Sequence, residues 1–175
     1  YWDTVVMSPM AYQSTTAPVF GVRLYNQGRG LINSNCWTNT DASVYGLDSR
    51  DIWVFDGSQF MPLGNQKVRD YFYRNLSPTY SDRVFMVNNT QKNQIEIYYP
   101  DLTSTGWCNK MLSWRYDLML WNAPKTIANA CHATEAPVFI SGGFKYASRT
   151  VVYGRGGVSN QKLVQTNVGN SFINA

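Results

Sequence analysis

Short apolar and aromatic runs, separated by polar turn residues, recur along almost the whole chain, which is the pattern of strands joined by hairpins. The densest such region spans residues 83–124. Runs at 84–87, 95–99 and 111–116 predict three successive antiparallel strands of one up-and-down sheet, the last continuing to Trp121. Polar residues 88–93 supply the first turn, and Pro100, Asp101 and residues 103–106 break the chain before the third run.

Upstream, residues 5–7 and 19–25 read as strands, N-Q-G-R-G at 26–30 as a Gly-rich turn, and 43–46 and 51–55 as further strands. Asp56-Gly57 predicts a hairpin turn, because glycine enters the left-handed conformation at little cost, and residues 59–63 return as the partner strand. Between them and the central region the period changes. Val68, Tyr71, Phe72 and Leu76 recur at helical spacing and Pro78 stops the pattern, so one short helix is expected over residues 66–75. Residues 122–136 show little periodicity and predict no element; strands resume at 137–140, 144–146, 150–153 and 162–166, punctuated by Gly142-Gly143 and Gly156-Gly157. The tetrapeptide A-P-V-F occurs at 17–20 and again at 136–139. That offset is about three times the roughly 40-residue period of a propeller blade, as equivalent positions in a repeated sheet array would be.

Composition supports an ordered β-rich chain. Hydrophobic residues are 44% and charged residues 15%, well under the roughly 25% of an average soluble domain, which argues against disorder and for one domain with a real core. Glu occurs only at positions 96 and 135, so long helices are poorly supported. No apolar run reaches the roughly 18 residues that cross a bilayer. The start Y-W-D-T-V-V-M lacks an initiator Met and predicts a piece of a longer chain. The net charge of +4 is spread through the sequence, which leaves nucleic acid open as a partner without signalling it. The three cysteines, Cys36, Cys108 and Cys131, fit neither a disulfide framework nor a zinc spacing, so buried free thiols in a reducing compartment are expected.

Candidate chemistry is sparse. His132 follows Cys131, but neighbours on an extended chain point opposite ways and no further ligand lies at metal spacing. Asp56 with Glu96 or Asp101 offers the carboxylate pair of a glycosidase, which would also need two of Arg23, Arg74 and Arg115 at the same cavity. Most aspartates, however, lie at strand ends and turns, where Asp caps its own backbone. The stretch S-R-D-I-W-V-F-D-G lacks the order of a sialidase aspartate box, and G-R-G-G at 154–157 has no P-loop lysine. The aromatics could form a stacking platform for sugar, with Trp107 and Trp114 the rings to watch; on strands they are better core, and Trp53, Tyr98, Trp114 and Trp121 are expected to be buried.

The strand ending V-N-N, a turn, Q-I-E-I-Y-Y-P, a loop, and then N-K-M-L-S-W-R-Y-D-L-M-L-W-N-A-P form a pattern. It resembles a recurrent blade of tailed-bacteriophage virion proteins, in which an E-I-x-W-x-Y-P strand precedes an L-x-Y-N-Y-x-x-x-x-W strand pair. The chain is similar to the propeller part of tail tubular or nozzle proteins and packaged-DNA stabilisation proteins, and especially to virion structural proteins of T4-like cyanophages. The likeness covers residues 51–124, including D-I-W-V-F-D-G-S-Q-F-M-P-L-G and the helix K-V-R-D-Y-F-Y. It departs where the chain reads S-W-R-Y-D for Y-N-Y, and in holding about two to three blades, fewer than the four or so that close a propeller.

The resemblance implies an all-β fold of antiparallel β-propeller-like blades with one short helix, residues 1–175 being a single such region. Trp53, Tyr98, Trp114, Tyr116 and Trp121 would pack between blades. It also implies a non-enzymatic role in the tail or neck, without cofactor or metal, as an oligomeric partner of other tail, neck or portal-proximal subunits. Its place would be the virion, after assembly in the host cytoplasm, with no membrane. The alternative function is a carbohydrate-binding or glycosidase/sialidase-like β-propeller domain.

Overall fold

The computed structural model describes residues 5–9, 20–24, 29–140, 143–155 and 163–165. Strands β1 (Val5–Pro9) and β2 (Phe20–Leu24) pair antiparallel. A four-stranded meander follows, β3 (Trp37–Asn39), β4 (Val44–Leu47), β5 (Ile52–Phe55) and β6 (Phe60–Pro62), with its strands in sequence order. Helix α1 (Gln66–Asn75) and a 3-10 turn at Ser81–Arg83 lead to the larger sheet. That sheet is built from β7 (Phe85–Asn89), β8 (Gln94–Tyr99), β9 (Cys108–Arg115), β10 (Leu120–Trp121), β11 (Lys125–Ile140), β12 (Gly143–Arg155) and β13 (Leu163–Gln165). Its order is β13-β12-β11-β9-β8-β7, and β10 also pairs with β9. The described chain is therefore mostly β, with two antiparallel multi-stranded sheets and one α-helix, as the alternation of short apolar runs predicts.

Period-two alternation explains why β8 is the centre of the molecule. All six of its residues are buried because both its faces are covered. Ile95, Ile97 and Tyr99 join Tyr45, Leu47, Ile52, Phe72, Met86, Leu112 and Trp114 in a core shared by the small sheet, α1 and one face of the large sheet. Tyr98, on the opposite face, joins Phe85, Val87, Cys108, Met111, Ala133, Val151 and Tyr153 in a second core. The large sheet curls to close this second core: Tyr98 of β8 lies 6.0 Å from Tyr153 of β12, and Phe85 of β7 lies 5.6 Å from His132 of β11, between ring centroids. Burying each large apolar side chain contributes about 1.5–3 kcal/mol.

Backbone bonds tie the two sheets together. Met86 N donates to Asn35 O at 2.9 Å, and the Asn33 side chain donates to the carbonyls of Asp82 and Val84. Helix α1 has the expected bounds. Asn65 caps it by accepting from Val68 N at 3.0 Å, Phe72 enters the core against Tyr99 at 4.9 Å, and Leu76 N closes on Phe72 O. The expected hairpin turn also forms, with Gly57 at φ 95°. In the small sheet Gly46 sits opposite Trp53, and a Cβ there would fall 2.1 Å from the indole, so the ring occupies the space a side chain would take.

Three expectations are corrected. Residues 122–136, where no element was predicted, contain most of β11. Its register shifts between Thr126 and Ala130 and again between Ala130 and His132, and these irregularities, with alanine at so many positions, erase the two-residue period. The separate strands predicted at 144–146 and 150–153 are one strand, β12. Strand β3 falls in the polar stretch before residue 43, where none was predicted. The first A-P-V-F copy lies outside the described residues except for Phe20; the second falls in β11.

Candidate functional site

Two hairpin tips and the link after β10 form the most prominent surface feature. The β7–β8 turn places Asn93 at φ 52°, and the β9–β10 turn places Met119 at φ 54°. Both are left-handed, which costs an ordinary L-residue roughly 1–2 kcal/mol. The tips are stitched side by side: Tyr116 N donates to Asn93 O at 3.0 Å, and Tyr116 OH to Asn93 Oδ1 at 3.3 Å. Beyond this stitch Leu118, Met119 and Leu120 project, 54%, 72% and 59% exposed, forming an apolar finger. At its base Arg115 grips Asp117 in two parallel bonds of 3.1 and 2.6 Å. That hydrogen-bonded pairing raises the guanidinium pKa and lowers the carboxyl below its ordinary value.

Beside the finger lies an open cleft of 620 Å³ lined by Lys92, Asn93, Gln94, Arg115, Asn122 and Lys125, among others. Across the link of residues 122–124 a second, mainly apolar hollow of 230 Å³ is walled by Lys67, Val68, Tyr71, Leu112 and Trp121. Asn122, Ala123 and Pro124 line both, so cleft and hollow adjoin across this link, and the two together are termed the groove. Trp121 is fixed by its Nε1–H donating to Leu63 O at 3.3 Å and by Trp114, 5.3 Å away between centroids.

A buried polar layer fixes the cleft wall from within. Glu96, 2% exposed, accepts from Asn89 Nδ2 at 2.8 Å, Gln94 Nε2 at 2.5 Å and Tyr98 OH at 2.6 Å. Burial, and then the Glu96 charge, push the Tyr98 phenol well above its ordinary value, so it stays a donor. Gln94 in turn accepts from Asn122 Nδ2, which also donates to Ser113 Oγ at 2.9 Å. The layer runs unbroken from core to cleft.

The residues singled out from the sequence are dispersed. Trp114, Tyr116 and Trp121 pack at the core between the two sheets, Tyr116 and Trp121 from its partly buried rim. Trp53 and Tyr98 are buried too, but elsewhere: Trp53 packs on Phe60 in the small sheet and donates to Gly30 O, while Tyr98 belongs to the second core. Asp56 caps its own turn, accepting from Ser58 N and Gln59 N, whereas Glu96 is interior; the two share no cavity. Asp101 likewise accepts from Thr103 N and from Asn109 Nδ2. Arg115 lines the cleft and Arg74 a separate hollow; the Arg23 side chain lies outside the described residues.

Trp107 stacks its ring on the Arg83 guanidinium at 5.1 Å. His132 is exposed against Phe85, and no metal-holding cluster occurs among the described residues. Cys36 and Cys108 are buried free thiols donating to the carbonyls of Val84 and Arg83, and burial pushes the Cys36 thiol up to about 12. Cys131, expected to be buried, is instead exposed; it sits at a register shift of β11 and its thiol donates to Gly154 O at 3.2 Å. The finger and the groove were not read from the sequence. L-M-L looked like the strand leading to Trp121, and the groove is assembled from segments up to 58 residues apart, Lys67 to Lys125. No protein-family model matches the chain, and a search of curated proteins finds no match.

Proposed function

We propose that this protein is a structural component of a tailed-phage virion, acting through contacts with neighbouring tail, neck or portal-proximal subunits, and that its two meanders are propeller-like blades. The observation that carries the reading is the architecture of the stretch that bears the resemblance. Residues 51–124 run through β5 and β6, across α1, and into the β7–β8–β9 meander, and their aromatics are spent on packing: Phe72, Tyr99 and Trp114 in one core, Phe85 and Tyr98 in the other. What this unit leaves at its surface is an apolar finger and a polar groove, the mixture that protein interfaces use. Such a protein needs stiffness and contact area, and the packed sheets provide both. Mass spectrometry of purified virions from the phage that encodes the chain tests the proposal. Stoichiometric presence is the expected result, and absence from virions would defeat it.

A further inference from the structure

We propose that the groove crossing residues 122–124 binds an extended acidic polypeptide segment of a partner protein, with one apolar side chain seated between Val68, Tyr71 and Trp121 and carboxylates over Lys92 and Lys125. This rests on the reading that the protein works through protein contacts, and it names the chemistry of the partner.

Charge points to the sign of the ligand. The two ends of the groove are lined by four cations, Lys67, Lys92, Arg115 and Lys125, and no Asp or Glu lines either end among the described residues. Arg115 is already held by Asp117. Lys67, Lys92 and Lys125, all exposed and without an ion pair among the described residues, are therefore the charges that remain to be matched, and two of the three stand at the cleft end. Complementary charge at an interface rim steers encounter and selects partners.

Shape and polarity point to a polypeptide. The apolar end, 230 Å³ with an exposed Tyr71 and a half-buried Trp121, has the size for one side chain. The cleft is lined by the amides of Asn93, Gln94 and Asn122; Gln94 is engaged with Glu96 and Asn122, which leaves Asn93 Nδ2 to donate to a peptide backbone and Asn122 Oδ1 to accept from one. The wall is set before binding: Gln94, 4% exposed, is held from behind by Glu96 and from the side by Asn122, so little ordering is left to oppose association. A nucleic-acid strand would need a longer basic track and a series of stacking faces. The flanking surface is instead the apolar finger at 118–120.

The test is selection of a displayed random-dodecapeptide library on the purified chain, followed by fluorescence anisotropy with the selected peptides and with a labelled ten-nucleotide oligo-dT. Selected peptides should carry two or more Asp or Glu residues towards one end and Leu, Ile, Phe or Trp towards the other. K92E/K125E should weaken their binding about tenfold or more, as should Y71S, while thermal unfolding stays unchanged. In the unaltered chain, affinity should fall as salt is raised from about 50 to about 500 mM. A neutral or basic consensus, no enrichment, affinity indifferent to K92E/K125E and to salt, or tighter and Lys92/Lys125-dependent binding of the oligonucleotide would each overturn the proposal. These outcomes separate from the virion reading. Acidic-peptide binding by a chain missing from virions would leave the groove standing and remove the phage role; a virion chain that ignores acidic peptides would do the reverse.

Discussion

Glu96 shows how much one buried side chain can decide. Its carboxylate answers three neutral donors, from Asn89, Gln94 and Tyr98, in a space with 2% exposure. Replacing it by Leu leaves the Asn89 and Gln94 amides and the Tyr98 hydroxyl without that acceptor. E96L should therefore lower the unfolding free energy by about 2–3 kcal/mol or more, the cost of leaving buried polar groups unpaired, read from urea denaturation with an unchanged slope. Asp101 governs acid behaviour differently. Burial pushes its carboxyl up, but hydrogen bonds from Asn109 and Thr103 and the charge of Lys110 together bring it below the ordinary value. A depressed folded-state pKa contributes stability that is complete above the unfolded value of about 3.9 and is lost as pH falls through the folded one. The difference in melting temperature between the parent chain and D101N should therefore be full near pH 6 and narrow as pH falls below the ordinary carboxylate value of about 3.9.

At the scale of elements, legibility depended on whether one local rule governed the segment. Helix α1 spans Gln66–Asn75 as read, because Val68 and Phe72 mark its inner face and Asn65 its start. Removing that start isolates its worth: N65A strips the side chain that accepts from Val68 N and should destabilise the protein by about 1 kcal/mol, visible as a lower thermal midpoint and as faster amide exchange in the first turn. Strands β7, β8 and β9 were legible because Ile95, Ile97 and Tyr99 alternate along β8 and short apolar runs flank it in β7 and β9. Strand β11 was not, since its order comes from pairing with β9 and β12 across three register shifts and not from its own Ala-rich sequence. The groove was hidden for a related reason. Lys92, Arg115 and Lys125 are unremarkable surface charges in the sequence, and only the return of residues 122–125 along β9 brings them to one cleft. Sequence offers Glu96 only as a candidate half of a carboxylate pair, because it shows the carboxylate but not the donors that surround it.

On the proposed virion role, the question for the whole molecule is which surface would meet a neighbouring subunit. The two cores consume nearly all the large aromatics of the central region, so the apolar area left at this hairpin tip is concentrated in Leu118 and Met119 of the turn and Leu120 at the start of β10, each more than half exposed. Three adjacent apolar side chains held in water by a hairpin that Tyr116 and Asn93 brace are a contact in waiting. The finger can be altered without touching either core, which separates its role from stability. L118S/M119S/L120S should leave the unfolding free energy within about 0.5 kcal/mol of the parent, as surface changes do. In a phage carrying the altered gene, the chain should be depleted several-fold from purified particles while its level in the infected cell stays constant. Equal incorporation of parent and variant would show that the assembly contact lies elsewhere on the surface, and a fall in both incorporation and stability would show that the finger serves the fold. Only loss of incorporation with stability retained assigns the hairpin tip to a partner.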